Sequence, residues 1–264
     1  MATSAAPSRK VVSHNEWLAA RKVFLQKEKE LTHLRDEISK QRLELPWEKV
    51  EKNYIFDGLN GKESLADLFA GRSQLIVYHF MLGPDWVEGC PSCSFLGDHF
   101  DGAIPHLNAR DVTFLVISRA PYSQIQAFQK RMGWKFKWVS ANGNDFNFDY
   151  KVSFTPQDVA KGKEGEKNYN FNTIPFSIEE GPGASAFYKD ASGNVFHTYS
   201  TYARGLDIFL GAYNFLDIAP KGRDEEGLAF SMAWVKHHDK YTGQEVVDPN
   251  RGYVPPAKMH DCCK

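Results

Sequence analysis

The sequence predicts an α/β chain: a mixed sheet with helices on both faces, a long N-terminal helix and a C-terminal extension. Three observations carry this. Residues 74–82 (QLIVYHFML) and 112–118 (VTFLVIS) are nearly unbroken apolar runs of strand length, the pattern of central strands covered on both faces. Helical periodicity follows each run. Residues 184–189 and 195–201 then flank Asp190-Ala191-Ser192-Gly193-Asn194, a hairpin with a short glycine-containing turn. Right-handed crossovers place the first two long strands parallel.

Taken in order, residues 1–12 read as a disordered start. Ser13 and Glu16 have capping-box spacing, and the helix they open runs to about Leu45, where Pro46 stops it. Trp17, Phe24, Leu31 and Ile38 recur every seven residues, with Leu34 on an intermediate turn, so one apolar stripe runs along a charged helix. Either the stripe packs on its own domain or it grips a second copy of the chain in a homodimer. Residues 54–56 form a short strand, Asp57-Gly58 a turn, and residues 64–69 a helical turn. A helix over 95–107 sets Leu96, Phe100, Ala103 and Leu107 on one face, with Gly102 and Pro105 kinking or shortening it. A second helix over 122–132 turns Ile125 and Phe128 inward. Residues 135–140 (KFKWVS) alternate as a half-exposed strand, and residues 141–175, rich in Gly, Asn and Lys, form an insertion loop. A helix over 206–216 closes the fold. The organisation is thus an arm over 13–46, a domain over 47–218 containing the 141–175 insertion, and an extension with tail over 219–264. A short helix over 228–237 is expected in that extension.

Composition narrows the function. A net charge of −1 argues against an electrostatic nucleic-acid binder, which needs a basic face to neutralise phosphates, so nucleic acid is not an expected partner. Aromatic residues make up 14% of the chain, and such large rings support a sizeable core. No apolar run is long enough to cross a bilayer, and residues 1–10 (MATSAAPSRK) lack a hydrophobic signal core. A cytoplasmic, reducing location is therefore expected. The four cysteines, in two close pairs, are no secreted disulfide framework for a chain of 264 residues.

Chemistry concentrates in Cys90-Pro91-Ser92-Cys93. The pair falls at the exit of a parallel strand, where a helix begins. Carboxyl ends of parallel strands form the functional edge of such sheets. The first helical turn offers unpaired N–H groups and positive potential, which favour a thiolate. Cys90 is then the exposed attacking sulfur, and Cys93, one turn on, resolves the mixed disulfide. Pro91 suits a first turn because it has no N–H to leave unpaired. The alternatives are half of a metal site, with Cys90, Cys93 and His79 as ligands, and a binding or scaffold protein without redox turnover. No dinucleotide or P-loop fingerprint is present, so no cofactor is expected, and electrons would come from another thiol system. The expected partner is a protein or small-molecule thiol or disulfide.

Further candidates surround the pair. His79 lies within the first apolar strand, either as a proton shuttle beside the thiols or as a hydrogen-bonded core residue. Arg119, directly after the second strand, reaches the same sheet edge, where a guanidinium favours a thiolate or closes a loop with a salt bridge. Trp86, Trp134, Trp138 and Phe146-Asn147-Phe148 line an aromatic pocket or form core. His237-His238-Asp239 is a poor chelator and reads as a solvated helix end. Cys262-Cys263 is a candidate relay that exchanges with the first pair, a lipid site, or an ordinary tail.

The stretch Phe56-Asp57-Gly58, Ser64-Leu65-Ala66-Asp67-Leu68, Gly71-Arg72 and the strand that follows resembles the lead-in of the thioredoxin and peroxiredoxin superfamily. Trp86-Val87-Glu88-Gly89-Cys90-Pro91-Ser92-Cys93 resembles the thioredoxin Trp-x-x-x-Cys-x-x-Cys stretch. From Trp17 to about Tyr241 the chain is similar to the thioredoxin-like family called domain of unknown function eight-nine-nine. The words that carry this are Tyr78-His79-Phe80-Met81, Gly89-Cys90-Pro91-Ser92-Cys93-Ser94, Ser118-Arg119-Ala120-Pro121, Arg131-Met132-Gly133-Trp134, Asp145-Phe146-Asn147 and His238-Asp239-Lys240-Tyr241. The resemblance implies a thioredoxin-like sheet and a redox dithiol. It also implies a substrate-docking cis-proline before the hairpin, facing the Cys pair, for which Pro182 is the candidate although Gly183-Ala184 intervene, and Trp86 is a second substrate-binding candidate. The peroxiredoxin pattern before the attacking cysteine is not matched, since its Pro and Thr or Ser offsets hold Gly83 and Val87.

Overall fold

Ser13 closes a full capping box with Glu16, and helix α1 (His14–Leu43) follows it as the spacing predicts. No residue of α1 is buried, and Trp17, Phe24, Leu31, Leu34 and Ile38 are all exposed. Among the described residues, nothing in the rest of the chain buries the stripe. Near the helix's C-terminal end Arg42 lies 4.8 Å over the Tyr199 ring. Beyond it Trp47 packs on Tyr188 at 5.0 Å. The computed structural model describes residues 9–160, 166–175, 178–242, 246–248 and 252–254.

The main sheet has eight strands. β1 (Glu48–Lys49), the hairpin β2 (Ile55–Gly58) and β3 (Gly61–Ser64), and β4 (Gln74–His79) come first. α2 (Pro91–Gly97) and α3 (Ile104–Asn108) lead to β5 (Val112–Ser118), and α4 (Tyr122–Met132) leads to β6 (Trp138–Ser140). The predicted helix over 95–107 is thus two short helices, broken between residues 97 and 104 next to Gly102 and Pro105. β6 is shorter than expected and fully buried, because Trp138 and Val139 serve opposite faces of the sheet.

The insertion is not a plain loop. It holds α5 (Phe146–Asp149), α6 (Pro156–Ala160) and the hairpin β7 (Glu166–Tyr169) and β8 (Asn172–Pro175). The long hairpin β9 (Gly183–Lys189) and β10 (Val195–Tyr202) follows, then a 3₁₀ turn over Ala203–Phe209 and α7 (Gly211–Ile218). The expected helix at 228–237 is instead a series of turns. A small separate hairpin, β11 (Val246–Asp248) and β12 (Gly252–Val254), lies in the tail.

Strand order is β1-β10-β9-β4-β5-β6-β2-β3. β4 runs parallel to β5, and β5 to β6, while β9 lies antiparallel on the other side of β4. The mixed sheet with parallel centre is the one predicted. Alternation along the central strands divides two cores. Ile76, Tyr78, Phe80, Phe114, Val116 and Trp138 meet α2, α4 and α7 on one face. Leu75, Val77, Leu115, Ile117 and Val139 meet Leu68, Phe69 and Phe146 on the other. Helices cover both faces, and α2, α4 and α7 share one of them.

Candidate functional site

The parallel centre sends β4 and β5 to a common edge, where the chain after β4 loops out and returns. The Cys90 N–H donates to the Met81 carbonyl at 3.0 Å, fastening the loop's end back to the strand it left. Gly89 is needed for that return: a Cβ there would lie 2.5 Å from Phe80 and 2.7 Å from Phe128. Cys90 then stands as N-cap of α2 with Pro91 in the first turn, as predicted. Ser94 bonds the Cys90 carbonyl through both its N–H and its Oγ, each at 2.9 Å.

The two sulfurs differ sharply. Cys90 is partly exposed and Cys93 is buried. The Cys93 thiol, the N–H groups of Cys93 and Ser92 and the Ser92 hydroxyl all donate toward Cys90, lowering its pKa from 9.0 to about 7. Burial, then the neighbouring Cys90 charge, pushes the Cys93 thiol well above its ordinary range. The pair shares one readily lost proton, and it belongs to the outer sulfur.

Arg119 sits just past β5, on the same edge. Its guanidinium is held by Glu180, with Nη2 2.6 Å from Oε1, and lies 4.7 Å over Phe148. Glu180 is buried and also accepts from the Ser153 hydroxyl at 2.8 Å. Burial raises the Glu180 pKa to about 7, against the lowering pull of Arg119. Arg119 is therefore tied to Glu180, and the donors around Cys90 are Cys93 and Ser92. Pro182 directly precedes β9, which begins at Gly183, so no residue separates it from the strand, but no peptide bond among the described residues is cis, so Pro182 lacks the cis form that the resemblance implies. Gly183 is in register with His79 at the end of β4, which brings Pro182 to the dithiol's edge of the sheet. Trp86 is half-buried in the loop before Cys90 and donates its indole N–H to Glu179.

His79 lies elsewhere. It alternates with Tyr78 and Phe80, which share a core with Cys93, so its ring points to the opposite face and stacks on Phe146 at 5.6 Å. Its Nε2 meets Ser185 Oγ at 2.9 Å, the first link of a chain through Ser200 to His197. Burial holds its pKa down to about 3, which keeps the ring neutral. It is a hydrogen-bonded core histidine, and the sheet separates it from the dithiol. Cys90, Cys93 and His79 are thus not one ligand set, and the described residues hold no cluster of three or more metal-ligating side chains.

Trp134 and Trp138 are core rings, bonded to Asp98 at 2.8 Å and Ser118 at 3.0 Å. Cys262 and Cys263 lie outside the described residues.

The C-terminal extension is part of this site, which its sequence alone does not reveal. His237 is buried, not a solvated helix end, and its Nε2 donates to the Gly89 carbonyl at 2.8 Å. Lys240 and Arg131 both bind Glu88, at 2.6 and 2.7 Å, and Arg131 also holds Asp239 at 2.7 Å. His238 reaches Asp98 of the α2 C-cap at 2.6 Å, and Trp234 packs edge-on against Phe95. The extension straps the loop and helix that carry the thiols. Charge alternation in Glu88, Arg131, Asp239 and Lys240 was the available signal, but nothing in the order of residues says that they meet.

Fold and site together define a protein of the thioredoxin-like class, with a dithiol at a helix N-terminus beside a parallel strand. Within that class the chain belongs to the family described as "Bacterial protein of unknown function (DUF899)", whose model matches residues 6–241. No curated protein matches the chain. Among solved structures it is similar to peroxiredoxin Q of Xanthomonas campestris, at 16% identity over 62% of this chain and 96% of that one, with a TM-score of 0.39. It is similar to peroxidoxin BcpB of Mycobacterium tuberculosis, at 12% identity over 63% and 94%, TM-score 0.42. The mitochondrial 2-Cys peroxiredoxin of Plasmodium falciparum gives 14% identity over 65% and 92%, TM-score 0.38. No described helix is long and apolar enough to cross a membrane.

Proposed function

We propose that this protein is a thiol–disulfide oxidoreductase. Cys90, as thiolate, attacks a disulfide of a protein or small-molecule partner. The Cys90–substrate disulfide forms and one substrate thiolate leaves. Cys93 then loses its proton and attacks Cys90, releasing the second substrate thiol and leaving a Cys90–Cys93 disulfide. A further thiol system returns two electrons, consistent with a cytoplasmic setting. The observation that carries this reading is the asymmetry of the pair: a partly exposed sulfur ringed by donors, and a buried one behind it. Trp86 and Pro182 form the rim on which a substrate docks. Arg119, held by Glu180, keeps that rim in place. Cys262 and Cys263 are candidates to relay electrons to the pair.

The deciding experiment is thiol-trapping mass spectrometry of Cys93→Ser from native extract. A disulfide-linked partner on Cys90, absent from Cys90→Ser, is expected. If Cys93→Ser carries no such adduct, and the Cys90→Ser, Cys93→Ser double variant binds partners as the native chain does, the protein is a binding module instead. A second copy of the chain is a separate candidate partner, favoured by the exposed stripe of α1.

A further inference from the structure

Tyr78 stands in β4 with its ring among the residues that enclose Cys93. Phe100 at 5.2 Å and Phe80 at 6.2 Å meet it edge-on, so the ring is fixed. The side chain is buried, and among the described residues its hydroxyl has no hydrogen-bond partner. Such a group is costly to bury, and in most folds a neighbour or water answers it. The nearby Tyr169 hydroxyl does not, because it donates to the Pro182 carbonyl at 2.7 Å and accepts from the Ala203 N–H at 3.2 Å. Buried in the same core is the Cys93 thiol, whose ionised form the Tyr78 hydroxyl favours. A phenol is a good donor to an anion and a poor partner for a neutral S–H, and charge-assisted bonds are the shorter and stronger ones.

We propose that Tyr78 is a positioning residue for the resolving step, donating its hydrogen bond to the Cys93 thiolate as that sulfur attacks the mixed disulfide on Cys90. The proposal rests on the redox reading above. It supplies what that reading lacks, a reason why so deeply buried a thiol ionises in time to react. In the mixed disulfide Cys90 is no longer an anion, so its repulsion of a Cys93 charge is gone. The Cys93 proton leaves to solvent, and the phenol keeps its own proton while bonding the new thiolate. The Cys93–Cys90 bond then forms as the Cys90–substrate bond breaks, and the electron pair departs on the substrate sulfur. Tyr78 is unchanged at the end.

The test uses the full chain carrying Cys262→Ser and Cys263→Ser, with dithiobis(nitrobenzoate) as the disulfide. Attack by Cys90 releases one thionitrobenzoate, and attack by Cys93 on the adduct releases a second. Tyr78→Phe removes the hydroxyl and keeps the ring. It should leave the first release unchanged, slow the second about tenfold, and move the second's pH midpoint upward. A fluorinated tyrosine at position 78, a more acidic donor, should speed the second release, and this arm decides if Tyr78→Phe fails to fold. Equal second-release rates and midpoints in all three chains would overturn the proposal while leaving the redox reading intact. A native chain that never yields the second release would remove both.

Discussion

At the scale of single residues, the Cys90 thiol is drawn down by donors that the buried Cys93 cannot use. Iodoacetamide should therefore alkylate Cys90 with a pH midpoint near 7, where an ordinary thiol shows 9.0, and Cys93 should stay unmodified until the protein unfolds. A midpoint at the ordinary value would remove the basis for an activated thiol. The same shift links to stability. The folded pKa lies below the unfolded one, so the reduced protein gains stability from Cys90 as pH rises from 7 to 9, and has none of that gain below 7. Arg119 and Glu180 give a second residue-scale expectation. Removing one member of a buried ion pair leaves the other charge unanswered, at a cost of about 3–5 kcal/mol. Burial raises the Glu180 pKa to about 7, so this carboxyl is ionised above that pH and protonated below it. Arg119→Met should accordingly destabilise strongly at alkaline pH and much less in mild acid, measured by urea unfolding at both. A penalty independent of pH would mean that the pair is not what Arg119 contributes.

At the scale of elements, the short helix α2 depends on how its loop returns to β4. Gly89→Ala places a methyl group against Phe80 and Phe128, and overpacking of this kind costs about 1–3 kcal/mol. Because the Gly89 carbonyl also receives His237, the shift should reach Cys90 and slow its alkylation. Unchanged melting and unchanged alkylation together would show the contact to be easily relieved. Helix α1 poses the opposite problem, an element with nothing buried along its length. If its stripe grips a second copy, the native chain sediments as a dimer, and Trp17→Ser with Phe24→Ser and Leu31→Ser sediments as a monomer that melts like the isolated domain. A native chain that is monomeric at all concentrations would refute the dimer.

For the whole molecule, the C-terminal extension closes the fold over the thiols. A chain ending at residue 220 loses Trp234 from Phe95, His237 from Gly89 and Lys240 from Glu88 in one step. Exposed ion pairs of this kind are worth little each. The larger loss is the packing of Trp234 and the buried bond of His237. The truncated chain should melt lower than the native one, and Cys93 should become open to alkylation in the folded state. Full protection of Cys93 after truncation would show that the sheet and α2 alone bury it. The parallel centre, the hairpin and the Cys-x-x-Cys at a helix start were legible because each is signalled locally, by apolar run length, turn residues and proline placement. The insertion was not. Its elements are short, and Phe146 is buried by contacts with Phe56 of β2, His79 of β4 and Phe187 of β9 that no window of sequence contains.

Residue order alone settled the two long central strands and the hairpin after the insertion, where α1 starts and that two cysteines open a helix, because these depend on neighbours a few positions apart. It could not settle which sheet face a central strand gives to which core. In a strand covered on both sides every residue is apolar or satisfied, and the pattern is the same either way up. Packing of α2 against one face made that choice. It set Tyr78 beside Cys93, sent His79 to the far side, and let a distant strap reach the loop before Cys90.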